Sequence, residues 1–189
     1  MNRKQLAVIC GVVATTVIGA GSIEASASSR HSNKVEFDLA AASPAIAACL
    51  PNAKAKVEVQ LTTDAKGFDT FKIEGRGLFP NQAYTVFLLE QPGSPFGAAE
   101  YIGDFTTNSR GRGEGKFRLI VEEAFSSTIV GGNRVRAELN HVGFWTADAT
   151  ADDACFPGGG GPVTPFDGDN EAGAQVMNSA NALPGAPLP

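Results

Sequence analysis

Asp167-Gly168-Asp169-Asn170-Glu171 sets three carboxylates on alternate positions of a short loop. Oxygen ligands so spaced converge on a hard cation such as calcium. The match to an EF-hand loop is poor, because the turn-glycine position holds Ala172 and the bidentate-glutamate position holds Asn178. Calcium on Asp167, Asp169 and Glu171 therefore competes with a solvated turn shaped by Asp and Gly. A small hydrolase would use the same carboxylates as acid and base. That chemistry also needs a cleft, a separation of roughly 5–10 Å and one raised pKa. Asp148, Asp152 and Asp153 form a second acidic group that adds ligands if the fold brings it close.

Other chemistry is thinly provided. There are two histidines, His31 and His141, and no GxSxG elbow to seat a nucleophilic serine. A relay of His141, Asp148 and some serine competes with a simpler reading, a histidine at a strand bend satisfied by backbone. Two distant histidines do not supply the three or four ligands that zinc takes. Trp145 faces outward if Phe144 faces inward, which makes Trp145 and His141 candidate binding residues, but core packing or an inter-sheet role is the favoured reading of Trp145. Twelve phenylalanines against one tryptophan and two tyrosines describe a Phe-filled core rather than a carbohydrate platform. Arg110, Arg112, Lys116 and Arg118 gather near one expected hairpin as a small basic face.

The compartment is read from the first 27 residues. Arg3-Lys4 precedes an uncharged apolar run from Leu6 to Ala20, and Ala25-Ser26-Ala27 is a small-x-small cleavage pattern. The run is shorter than the roughly 20 residues of a membrane-spanning helix. Cys10 lies inside it, where a lipoprotein cysteine does not. Export as an unfolded chain, starting at Ser28 after cleavage, is the expectation, and it disfavours a complex cofactor. Loss of Arg3, Lys4 and Glu24 makes the exported chain one charge more acidic than the −5 of the whole. No segment is dominated by Lys and Arg, which argues against nucleic acid and anionic membrane surfaces as partners. Cys49 and Cys155 are then the only thiols left, and an exported protein with two cysteines most simply pairs them.

The elements that must position these residues are strands. Val57, Val59 and Leu61 alternate with Lys56, Glu58 and Gln60, and Phe71 and Ile73 with Lys72 and Glu74. Ala83–Leu89 is apolar on both faces, as a strand covered on two sides is. Tyr101–Thr107 and Lys116–Val121 flank Asn108–Gly113, the clearest hairpin. Val135–Leu139, Val142–Trp145 and Ala174–Met177 complete the set. The expectation is an all-β, antiparallel immunoglobulin-like β-sandwich of about seven or eight strands, with a closed β-barrel as the alternative. Its divisions are a signal peptide over 1–27, a flexible lead over 28–52, the sandwich over 53–178 and a disordered Pro-rich tail over 179–189.

His141-Val142-Gly143-Phe144-Trp145, Thr164-Pro165-Phe166-Asp167-Gly168 and Ala172-Gly173-Ala174-Gln175-Val176-Met177-Asn178, with Gly77-Leu78-Phe79-Pro80-Asn81, carry a resemblance. The chain resembles a group of secreted, β-rich bacterial proteins of actinobacterial type, over most of its exported length. That resemblance implies an exported β domain and supplies no catalytic residue. The function expected is a secreted, non-enzymatic extracellular binding or structural module for a polymer or protein. The small secreted hydrolase using the loop carboxylates is the alternative.

Overall fold

The computed structural model describes residues 33–121, 124–165 and 171–179. Eight strands form one antiparallel sheet: β1 Lys34–Ala41, β2 Lys54–Gln60, β3 Asp69–Arg76, β4 Ala83–Leu89, β5 Ala99–Thr106, β6 Gly113–Leu119, β9 His141–Thr146 and β12 Gln175–Asn178. Between β6 and β9 the chain builds a separate hairpin of β7 Phe125–Val130 and β8 Asn133–Glu138. Two short strands, β10 Thr164–Pro165 and β11 Glu171–Ala172, pair with each other. The helical pieces are α1 Pro44–Cys49, α2 Thr63–Lys66 and a 3₁₀ turn, Ala151–Cys155.

Strand order in the sheet is β5-β4-β9-β12-β1-β2-β3-β6. β1 belongs to both halves: Lys34–Leu39 pair with β2, whereas Ala40 and Ala41 pair with Asn178 and Met177 of β12. The two ends of the order, β5 and β6, lie side by side. The result is an all-β, antiparallel, nearly barrel-shaped sheet, closer to the expected alternative than to two separate layers.

Alternation drives this arrangement. Val57, Val59, Phe71, Ile73, Tyr84, Val86, Val142 and Phe144 are fully buried on the inner face. Each such side chain contributes about 1.5–3 kcal/mol by leaving water. Tyr84 stacks on Phe105 with ring centroids 5.3 Å apart and meets Phe144 edge-on. Its hydroxyl accepts the Phe79 N–H, and burial pushes the phenol up to about 12. Asp69 is buried at the start of β3, where its carboxylate accepts N–H bonds from Thr62, Thr63 and Val121. One side chain thus ties the β2–β3 connection to the end of β6.

The structure corrects the flexible lead over 28–52. Residues 34–41 are β1, with Phe37 and Leu39 in the core, and 44–49 are α1, begun by Pro44 and capped by Ser43. Val35, Phe37 and Leu39 alternate with Lys34, Glu36 and Asp38, which is the half-buried strand pattern. Val135 and Ala137 also belong to a different structure from the one expected: β8 pairs only with β7, around Gly131 and Gly132. That hairpin leaves Ile129 and Val130 exposed. Residues 1–27, the expected signal peptide, and residues 180–189 of the tail lie outside the described residues, while Ser179 is buried.

Closure of the seam depends on Gly103. It sits beside a bulge in β5, at φ 149°, and the Phe117 ring of β6 occupies the space a side chain would fill. Gly103→Ala is expected to lower unfolding free energy by about 1–3 kcal/mol, the usual cost of overpacking, measured by urea denaturation. The Cys49–Cys155 disulfide, with a sequence separation of 106 residues, joins α1 to the 3₁₀ turn. Replacing both cysteines by serine is expected to cost up to about 4–5 kcal/mol in the same assay.

Candidate functional site

The inner alternation leaves the opposite faces of β1, β2, β3 and β6 to charged residues, set in rows by the strand register. Glu36, Glu58, Lys72 and Lys116 form one row, and Asp38, Lys56, Glu74 and Glu114 the next. Lys34 bonds Glu36 at 2.7 Å and Glu58 at 2.8 Å, Lys56 also pairs with Glu36, and Lys72 pairs with Glu74 and, at 3.4 Å, Glu114. Hydrogen bonds from Lys34 and then Lys56 push the Glu36 carboxyl down to about 2. Lys34 and Gln60 lower Glu58, and Glu74 raises the Lys72 ammonium.

The third row differs. Lys54 is the cross-strand partner of Arg76, and Arg112 immediately precedes Gly113, whose partner is Gly75. Lys54, Arg76 and Arg112 therefore lie across three neighbouring strands, all exposed, with no described carboxylate in an ion pair with them. Like charges directly opposite on a sheet destabilise it unless an anion lies between them. The row lines a groove of about 1240 Å³ together with Asp38, Lys56, Glu74, Asn108 and Glu114. Asn108 Oδ1 accepts the N–H groups of Arg110 and Arg112, and Thr107 Oγ accepts the Gln82 N–H. Gly111 adopts φ 67° there, with the Leu78 carbonyl in the space a side chain would fill. The turn that carries Arg112 is thus held rigidly. Cations one strand apart, about 4.8 Å, suit successive acidic groups of an extended polyanion, and each guanidinium can grip a carboxylate or phosphate with two hydrogen bonds.

The residues expected to carry chemistry are scattered. Trp145 is completely buried, between Phe87 and Phe96, with its ring N–H donated to Thr164. This corrects its candidacy as an exposed binding residue: Phe87 and Leu89 make the outer face of β4 apolar as well, and Trp145 packs with them. His141 is half-buried at the start of β9, its Nδ1 3.2 Å from Ser179 Oγ, and burial lowers its pKa. Ser179 is itself buried and accepts the Val142 N–H. No described carboxylate is hydrogen-bonded to that imidazole. Asp167 and Asp169 lie outside the described residues, and of Glu171 only the backbone is described, paired with Pro165. Among the described residues no three His, Cys, Asp or Glu side chains converge on a metal position. No described helix is long and apolar enough to cross a membrane.

Sequence reasoning found Arg112 but grouped it with its chain neighbours. Lys116 and Arg118 project from other rows, and Arg118 lies over the Phe68 ring at 5.0 Å. Lys54 and Arg76 were missed. Their signal is the polar half of each strand's alternation, which gains meaning only once the register is known.

Glu36 supplies a test of the charged face. Its lowered pKa means that its contribution is fully present above pH 4.5, the ordinary value, and is lost as pH falls toward about 2. Carboxyl-carbon NMR is expected to place the Glu36 midpoint near 2, rising toward the ordinary value in Lys56→Gln and in high salt.

No protein-family model, curated protein or solved structure matches the chain, so its chemistry is read from its own residues.

Proposed function

We propose that the chain is a secreted, non-enzymatic extracellular binding module whose outer groove takes an acidic polysaccharide. The observation that carries this reading is the row of Lys54, Arg76 and Arg112, three cations without described carboxylate partners on a protein of net charge −5. Such a row is costly in a free protein and is offset when an anion bridges it. In the rows beside it Lys34, Lys56 and Lys72 are held by glutamates. A regular sheet face holds its charges at fixed intervals, which suits a repeating polymer better than a compact small molecule. The disulfide supports an oxidising location.

Titration calorimetry with polygalacturonate, a uronic-acid polymer, tests this against neutral dextran. Arg76→Gln and Arg112→Gln are each expected to weaken binding by about tenfold, the scale of a lost charge-assisted hydrogen bond. Added salt is expected to weaken it further. Equal binding of dextran, or full affinity in a variant with Lys54, Arg76 and Arg112 all changed to Gln, would sink the proposal.

A further inference from the structure

Among the described residues, four buried side-chain oxygens have no hydrogen-bond partner: Thr63 Oγ, Thr146 Oγ and both carboxylate oxygens of Asp152. Three of the four border one stretch of backbone, Gly173-Ala174. Thr146, at the end of β9, is 1 % exposed, and its hydroxyl lies against the Gly173 Cα in the space a side chain there would fill. The Asp148 carbonyl faces the same position. Asp152, in the 3₁₀ turn, is also 1 % exposed, with its carboxylate packed on Gly161. The amides of Ala174 and of Asp152 itself are its nearest donors, without reaching hydrogen-bonding geometry.

Asp69 shows what this fold does with a buried carboxylate when it is built for structure. Three backbone N–H groups are directed at it, and both oxygens are used. Asp152 has the burial of Asp69, but the two amides that act on it do not reach hydrogen-bonding geometry. Its nearest charges, Asp153 and Asp148, are also negative. Burial first, and Asp153 second, push its carboxyl above the ordinary carboxylate range. A proton would satisfy only one of the carboxylate oxygens and would leave the Thr146 hydroxyl oxygen as it is. An oxygen-only set of carboxylate, hydroxyl and carbonyl, with no lysine or arginine among the charges acting on it, matches the ligand chemistry of a hard cation. The Asp148 carbonyl already accepts the Ala151 N–H and keeps a second lone pair for such an ion.

We propose that Asp152 and Thr146, with the Asp148 carbonyl, hold a calcium-class cation at the junction of β9, the 3₁₀ turn and the approach to β12. Water completes the coordination, as hard cations commonly require. Its ligands are other residues than Asp167, Asp169 and Glu171, and none of them lines the polysaccharide groove. The ion would fasten the 3₁₀ turn, which also carries Cys155, to the end of β9.

Trp145, the only tryptophan, precedes the proposed ligand Thr146 and serves as a built-in antenna. Terbium added to the chelator-treated, oxidised protein is expected to luminesce on tryptophan excitation, and calcium to quench that emission by displacement. Asp152→Asn is expected to abolish the signal and the calcium-induced rise in Tm, while melting in chelator no lower than the parent, because it removes an uncompensated buried charge. Thr146→Val, which keeps side-chain volume, is expected to weaken terbium binding at least tenfold. A variant with Asp167 and Asp169 both changed to Asn is expected to keep the signal. Absence of sensitised emission, emission undiminished in both Asp152→Asn and Thr146→Val, or emission lost in the Asp167 and Asp169 variant would overturn the assignment.

Discussion

The hydrogen bonds of β1 hold the molecule together, because that strand alone gives one part of its length to β2 and another to β12. Without this division the chain would make two unconnected half-sheets, one of β1, β2, β3 and β6 and one of β5, β4, β9 and β12. With it, Phe37 and Leu39 enter the same core as Phe71, Phe144 and Val176. The disulfide acts on the same join from outside, linking the helix that follows β1 to the turn that follows β9. Buried carboxylate Asp69 then fixes the far end, where β3 meets the exit of β6.

A division of labour follows from the pleat. Inner positions are apolar and carry the stability, whereas exposed ion pairs on the outer face contribute little to it. The outer face of β1, β2, β3 and β6 is therefore free to be arranged for other ends, and its rows are not random. Two rows mix opposite charges, and one is cationic. On the other half-sheet the outer face of β4 and β9 is apolar and is sealed by Phe96 and Trp145, so the two halves present quite different surfaces to solvent.

The features legible in the sequence are those that depend on local pattern. Period-two alternation located β2, β3, β4 and β6, the two-faced apolar run marked β4 as covered on both sides, and the cysteine count paired Cys49 with Cys155. β1 carried the same alternation in Val35, Phe37 and Leu39 but was overshadowed by the polar and alanine-rich residues around it. Barrel-like closure was not legible, because it turns on Phe117 packing over Gly103, a contact between strands whose inner faces give no hint of their spacing. Trp145 could not be assigned a side from Phe144-Trp145 alone, since a strand buried on both faces hides both residues. The groove was the least legible of all: Lys54, Arg76 and Arg112 are ordinary polar positions until three strands align them.

β12 supplies a consequence for biosynthesis. It lies between β9 and β1, so the first strand of the barrel finds one of its two neighbours only when residues 177 and 178 have been made. Strands β1, β2 and β3 pair through contacts close in sequence, but union with the other half waits for β12. Pairing of such distant segments is slow, because loop-closure entropy is lost before the contacts that offset it are gained. The central join of the sheet therefore stays open until β12 has been made.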